Sequence, residues 1–322
     1  MTLKTLTEVL AHAEADSYAV GAFNVSDLNQ AVAVLRAARQ EQSPVIVQAI
    51  AGMHPYDDEG WWWDRLRELI ESHPTVDAVL HLDHGRTFDD CRRAIEHGFT
   101  SVMIDASRDA ATDEPADFDA NVAATRAVVE HAHPLGVSVE GELGTIGGAE
   151  AGVRGIVEDI IFADPAQAAE FVARTGVDAL AVAVGTSHGS VKFTTDEQGQ
   201  RLRIGLIAQI HAGIPGTFLV LHGSSSIPAD SVRTINEHGG RLPSSYGIDT
   251  EQKQQGIASG IRKINQGTDS HLAWTAALRE ALDADRTTVE PSAAIGVTID
   301  AMAAAVAQRM REFGSAGRLA VH

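Results

Sequence analysis

The stretch AVLHLDHG, residues 78–85, opens as a buried β-strand and closes on His81, Asp83 and His84 against Gly85. Two later stretches repeat the design. ALAVAVGTSHG (179–189) ends at His188 and Gly189, and TFLVLHGSSS (217–226) carries His222 and Gly223. Near-continuous apolar strands imply a parallel sheet covered on both faces, whose functional groups gather beyond the strands' C-terminal ends.

Outward from these three, short β-rich runs alternate with helical stretches along the whole chain. The pattern predicts strands at 18–25, 44–50, 78–84, 100–107, 137–143, 179–185, 217–223 and 261–267. Between them lie amphipathic segments such as SDLNQAVAVLRAARQEQ (26–42) and ADFDANVAATRAVVEHAHPLG (116–136). Ser26 is the expected N-cap of the first, and Gly136 the expected C-cap of the second. Eight strand–helix units predict a (β/α)8 TIM barrel, a single domain over 1–322 with a C-terminal helical extension; a doubly wound sheet is the rival. The apolar tail from Met302 is expected to close the barrel floor or to pack against a second subunit.

The chain has 322 residues, enough for one large barrel, and a formal charge of −19 that argues against nucleic acid or anionic membrane as a partner. A small phosphorylated substrate stays possible, because glycine-rich turns hold such anions with backbone N–H groups whatever the global charge. The single cysteine, Cys91, rules out an internal disulfide and suits a reducing cytoplasm. Neither a secretory leader nor a membrane span is expected from the sequence.

Three histidines after separate barrel strands can converge on one ion. Zinc takes neutral imidazole nitrogens, and three protein ligands leave a position open for substrate. His12, His73, His97, His131, His238 and His322 lack the strand-end context and read as solvated helix or loop residues. Asp83 is either a base beside the metal or a carboxylate that orients His84. Glu140 and Glu142 share one strand face, and two carboxylates inside a barrel need a cation or a donor. GTIGGAEAG (144–152) suits a mobile lid whose only ionisable group is Glu150; a solvent-facing carboxylate is the plainer reading. HGSSS (222–226) places free N–H and hydroxyl donors where barrels cradle phosphate, with Gly189, Lys192 and NQGTD (265–269) as neighbours.

The blocks HLDHG, GFTSVMIDAS, GVSVEGELG, DALAVAVGTSHGSVKF, LVLHGSSSIP and YGIDTEQKQQGIASGIRKIN, in this order, resemble the class II, metal-dependent fructose-bisphosphate aldolases, the Calvin-cycle subtype above all. The resemblance runs from GAFNV (21–25) to FGSAG (313–317). It implies that His84, His188 and His222 hold a catalytic zinc, and that Asp83 is the acid/base at the substrate's C4 oxygen. It further implies a second cation at Asp105 and Glu142, and a phosphate site for dihydroxyacetone phosphate at Gly189, Lys192, Gly223, Ser224 and Ser225. Asn265 matches an asparagine that touches the triose, Thr268 a phosphate-loop threonine, and Glu150 the lid glutamate that moves a proton on the enediolate carbon. The implied assembly is a homodimer or larger homo-oligomer.

The chemistry accounts for these residue types. Breaking the C3–C4 bond leaves a carbanion beside a ketone, and a Lewis acid on the ketone oxygen stabilises it without a covalent imine. Lys263 is the nearest candidate for the rival Schiff-base route. Three positions depart from the family pattern: Ile50 stands where a phosphate-binding serine is expected, Ser292 near the expected arginine of a neighbouring subunit, and Gly267 where an aspartate is expected. The first two lie at the aldehyde end, which opens the reading that the aldehyde differs from glyceraldehyde 3-phosphate unless Arg36, Arg286 or another cation substitutes. Trp61–Trp63 either line that pocket or pack a helix start. Tagatose, sedoheptulose or sulfonated ketose phosphates are alternative substrates. Metal-dependent hydrolysis and non-catalytic phosphosugar binding are alternative functions.

Overall fold

The computed structural model describes residues 3–109, 112, 114–144, 147–150, 153–155, 161–188 and 202–319. Eight parallel strands close into a barrel: β1 (Val20–Asn24), β2 (Val45–Ile50), β3 (Ala78–Gly85), β4 (Ser101–Ile104), β5 (Ser138–Leu143), β6 (Ala179–Val182), β7 (Phe218–Leu221) and β8 (Ile261–Gln266). β1 pairs with both β2 and β8, which completes the ring. Each expected strand is present, a few residues shorter at most ends. No helix among the described residues is long and apolar enough to cross a membrane.

The two-residue period of the strands sorts the side chains. Leu80 and Leu82 of β3, Val45 and Val47 of β2, and Val102 of β4 join the outer core under the helices. Val79, Ile46, Val20, Ala22, Met103, Ala181 and Val220 form a separate cluster with Leu6, Val9, Leu10 and Ala13 of the helix Leu6–Asp16. The N-terminal helix therefore plugs the barrel floor, and the tail does not. The tail forms the helix Ser292–Glu312, which packs against the helices Leu28–Glu41 and Thr268–Ala284 on the outer wall. An aliphatic stripe suffices for either place, so its sequence did not distinguish them.

Above the floor the same inward positions turn polar. Ile46 is followed by Gln48 and Val79 by His81, with Glu140 and Lys263 at the matching level of β5 and β8; all four polar side chains are fully buried. One more step toward the mouth brings Asn24, Asp83, Glu142 and Asn265. The apolar run ends in polar groups because its inward positions leave the floor and reach a site.

Two local expectations need correction. Asp27, not Ser26, caps the helix Leu28–Glu41, its carboxylate accepting from the N–H groups of Asn29 and Gln30. Ser26 instead donates its N–H to the Gln30 side chain. Gly136, with φ 73°, closes a 3-10 turn (His133–Leu135) that follows the helix Phe118–Ala132. Trp62 and Trp63 are fully buried in the helix Glu59–Glu71, as packing demands, and Trp61 is 46% exposed.

Candidate active site at the barrel mouth

In a regular strand Asp83 and His84 would point to opposite faces. The β3–β4 register slips between Leu82 and Gly85, and His84 adopts φ 49°, a left-handed conformation costly for a side chain with a Cβ. The irregularity turns both side chains into the mouth. Gly85 permits it: a Cβ there would lie 2.7 Å from the Met103 carbonyl oxygen of β4.

His84 and His222 meet edge to face, with Nε2 of His84 3.2 Å from Nδ1 of His222. The far nitrogen of each ring is held by a carboxylate. His84 Nδ1 lies 3.0 Å from Asp105 Oδ2, and His222 Nε2 lies 2.8 Å from Glu140 Oε1. An ionised carboxylate only accepts, so each far nitrogen offers it a proton, with the Asn265 amide nitrogen also 3.2 Å from His222 Nε2; the two facing nitrogens are then left to share a cation, a proton or a metal ion. Two lone pairs at that distance repel unless a cation lies between them. Ligands about 2.0–2.1 Å from a tetrahedral zinc are about 3.3 Å apart, which this spacing fits.

Other features of the site also favour positive charge. Ligand atoms of Asp83, His84 and His222 lie within 4.8 Å of one another, and so do those of His84, Asp105 and Glu142. Burial opposes charge on His84, but the carboxylates of Asp83, Asp105 and Glu142 outweigh it and raise its pKa to about 10. His222 is driven well below the ordinary range by burial, then by His84 and Lys263. Glu142 is pushed well up by burial and by repulsion from Asp105 and Glu140, and its Oε2 has no hydrogen-bond partner among the described residues. The donor set thus fits a divalent ion.

Asp83 is fixed from three strands. Asn24 Nδ2 and Gln48 Nε2 donate to its Oδ2 at 2.7 and 3.2 Å, and Asn265 Nδ2 donates to Oδ1 at 3.1 Å. Burial alone would raise its pKa; His84, His222, Lys263 and the Asn24 amide together bring it below the usual carboxylate value. It is a buried, ionised proton acceptor facing the cavity lined by Asn24, His84, Gly223, Ser224, Ser225, Asn265 and Gly267.

The turn after β7 forms the opposite wall. Gly223 has φ 60°, and a Cβ there would meet the backbone of Ser187 at 2.7 Å, so only glycine allows the β6 and β7 ends to approach this closely. Ser224 Oγ donates to the Asn265 carbonyl, tying the turn to β8. Asp269 accepts from the N–H groups of Ser226 and Ile227, and Lys253 Nζ donates to Ser226 Oγ at 2.6 Å. Thr268 begins the helix Thr268–Ala284, whose N-terminus abuts Gly267 at the cavity. Such a terminus suits an anion.

The mouth thus gathers Asp83, His84, Asp105, Glu142, His222, Gly223, Ser224, Ser225 and Asn265. Gly189 and Lys192 lie outside the described residues, as do the side chains of Glu150 and His188. The backbone of Gly147–Glu150 forms a short strand that pairs with Ser187–His188 and, antiparallel, with Val153–Gly155. Ile50 is buried and in register with Asp83. Ser292 starts the C-terminal helix and hydrogen-bonds Glu290, while Arg36 and Arg286 pair with Asp300 and Asp283 and do not line the cavity. Lys263 Nζ lies 2.8 Å from Glu140 Oε2, fully buried. Asn24, Gln48 and Asp269 escaped the sequence reading. Asn24 and Gln48 did carry a signal, as lone polar residues at inward positions of GAFNV and VIVQAI.

Comparison with known proteins agrees with this geometry. The sequence model for fructose-bisphosphate aldolase class-II matches residues 4–318. The chain is 44% identical to a fructose-bisphosphate aldolase of Nostoc commune, over 98% of this chain and 91% of that one. It is 43% identical to a plasmid-borne fructose-bisphosphate aldolase of Cupriavidus necator, over 99% and 95%. Its fold superposes on the crystal structure of the YdjI aldolase from Escherichia coli K12 with a TM-score of 0.76 at 28% identity, covering 99% of this chain and 100% of that one. A barrel with histidines and carboxylates gathered at its mouth, matched along almost its whole length, places this chain in the class II fructose-bisphosphate aldolase family, whose members are lyases.

Proposed function

We propose that this chain is a single-domain, zinc-dependent aldolase that cleaves fructose 1,6-bisphosphate to dihydroxyacetone phosphate and glyceraldehyde 3-phosphate, and runs the reverse condensation. The observation that carries this reading is the facing pair of imidazole nitrogens 3.2 Å apart, each backed by a carboxylate, beside the ionised Asp83. His84 and His222, with His188, hold the metal. Bound there, a divalent ion polarises the substrate ketone and stabilises the charge that develops when the C3–C4 bond breaks.

The protein's own groups do the rest. Asp83, oriented by Asn24, Gln48 and Asn265, takes the proton from the C4 hydroxyl during cleavage and returns it in condensation. Glu150 carries the proton to and from the carbon released. Gly223, Ser224 and Ser225, with the helix start at Thr268 and with Gly189 and Lys192, hold the triose phosphate. Asn265 spans the triose and Asp83. Asp105 and Glu142 form a second cation position, supported by the buried Glu142 Oε2, which has no hydrogen-bond partner among the described residues. The enzyme works in the cytoplasm as a homodimer or larger homo-oligomer, in glycolysis and gluconeogenesis.

A second reading keeps the triose half and changes the aldehyde. The aliphatic Ile50 beside Asp83 favours it, since a side chain without a donor cannot hold a second phosphate. Turnover of zinc-loaded enzyme against a panel of ketose phosphates, coupled to detection of dihydroxyacetone phosphate, tests both. Fructose 1,6-bisphosphate is expected to be cleaved; release of dihydroxyacetone phosphate only from other ketoses would select the second reading. No release from any ketose would overturn both.

A further inference from the structure

Beneath the mouth lies a charged pair that the reaction above does not use. Glu140 of β5 and Lys263 of β8 are fully buried at the level between the apolar floor and the site. Lys263 Nζ is 2.8 Å from Glu140 Oε2, while Glu140 Oε1 is 2.8 Å from His222 Nε2. His81 approaches the same carboxylate, with Nε2 3.6 Å from Oε2, and is itself held at Nδ1 by Ser101 Oγ at 2.8 Å. A hydrophobic pair of similar volume often serves stability as well as a buried ion pair does, so stability alone does not explain these charges.

We propose that Glu140 and Lys263 act as one positioning unit that fixes which nitrogen of His222 faces the metal. This rests on the reading of His84 and His222 as ligands of a divalent ion. Lys263 has only donors, so it draws one carboxylate oxygen; the other oxygen is left as an acceptor for His222 Nε2–H. That proton, so placed, leaves the Nδ1 lone pair pointing at His84 Nε2, 3.2 Å away. Lys263 is therefore the counter-ion of a ligand-orienting carboxylate and not a Schiff-base nucleophile.

The unit predicts a reversal that a purely structural ion pair does not. In Glu140→Gln the side chain keeps one oxygen, and Lys263 claims it. The amide NH2 then faces His222 Nε2 and forces the ring proton onto Nδ1, toward the metal. In Glu140→Gln with Lys263→Met the amide is free to turn its oxygen back to His222.

Zinc affinity, measured by chelator competition with zinc ion alone as the probe, is the readout. Folding is checked by circular dichroism. Glu140→Gln is expected to weaken zinc binding about 10–100-fold, the range found when such orienting partners are lost. Adding Lys263→Met is expected to restore most of that loss. The pair Glu140→Gln/Lys263→Met and Glu140→Leu/Lys263→Met, both free of buried charge, asks the same question should the single variant misfold: the leucine form should bind zinc at least about tenfold more weakly. Glu140→Gln binding zinc like wild type, a double variant no tighter than Glu140→Gln, or equal affinity of the two uncharged doubles would each overturn the proposal. Wild type that binds no zinc would instead overturn the reading of the histidines as ligands.

Discussion

Asn265 at the end of β8 donates its amide to Asp83 of β3 across 3.1 Å, linking two strands that are separated in the barrel by β1 and β2. With Asn24 and Gln48 on the other oxygen, Asp83 is held as an acceptor from both sides. None of these amides gives up a proton, so the substrate hydroxyl is the proton donor left for it.

Asp83→Ala should therefore lose turnover by about 10²–10⁴, the usual worth of a placed acid/base group. Zinc content should stay near wild type if His84, His188 and His222 are the ligands. Metal analysis beside the kcat of the same preparation checks this, and fast turnover would reduce Asp83 to a structural neighbour.

Exhaustive chelation should abolish cleavage, and added zinc should restore it. The apo enzyme should also melt at a lower temperature, since an ion that binds only the folded chain stabilises it by mass action. Activity that survives chelation would exclude the metal route and reopen the case for an imine.

Gly223→Ala should raise KM for the phosphorylated substrate roughly tenfold or more, the worth of one charge-assisted contact to an anion. The added methyl would press on the Ser187 backbone at a backbone angle that favours glycine, and so displace the turn. Inhibition by inorganic phosphate, compared between the variant and wild type, reads the same site without turnover.

Leu10→Ala tests the floor. Leu10 is fully buried in the cluster formed by the N-terminal helix and the inner strand residues. Its truncation should cost about 2–5 kcal/mol in denaturant unfolding, with kcat of the folded fraction little changed. A cost below about 1 kcal/mol would mean that the helix does not pack as a plug.

Glu41 binds Arg311 through two 2.9 Å contacts that tie the helix Leu28–Glu41 to the C-terminal helix. The hydrogen bonds from Arg311 lower the Glu41 pKa from 4.5 despite partial burial. A carboxyl depressed in the folded state stabilises above its unfolded value and loses that contribution as pH falls through the folded one. Glu41→Gln should thus melt slightly below wild type at pH 7, with the gap closing below about pH 4. A gap independent of pH would assign the effect to packing.

The sequence by itself determined the barrel, because alternating apolar strands and amphipathic helices leave few ways to cover eight parallel strands on both faces. It also placed His84, His188 and His222 at strand ends, since strand ends are set by local pattern. Tertiary structure decided what those ends face. The slipped register that turns Asp83 and His84 to the same side depends on β4 lying against β3, and no local spacing records it. The amides of Asn24, Gln48 and Asn265 reach Asp83, and Lys263 reaches Glu140, only because closing the ring brings distant strands to one interior. For the same reason the floor went to the N-terminal helix: period shows that a face is apolar, but only the assembled core shows which cavity it fills.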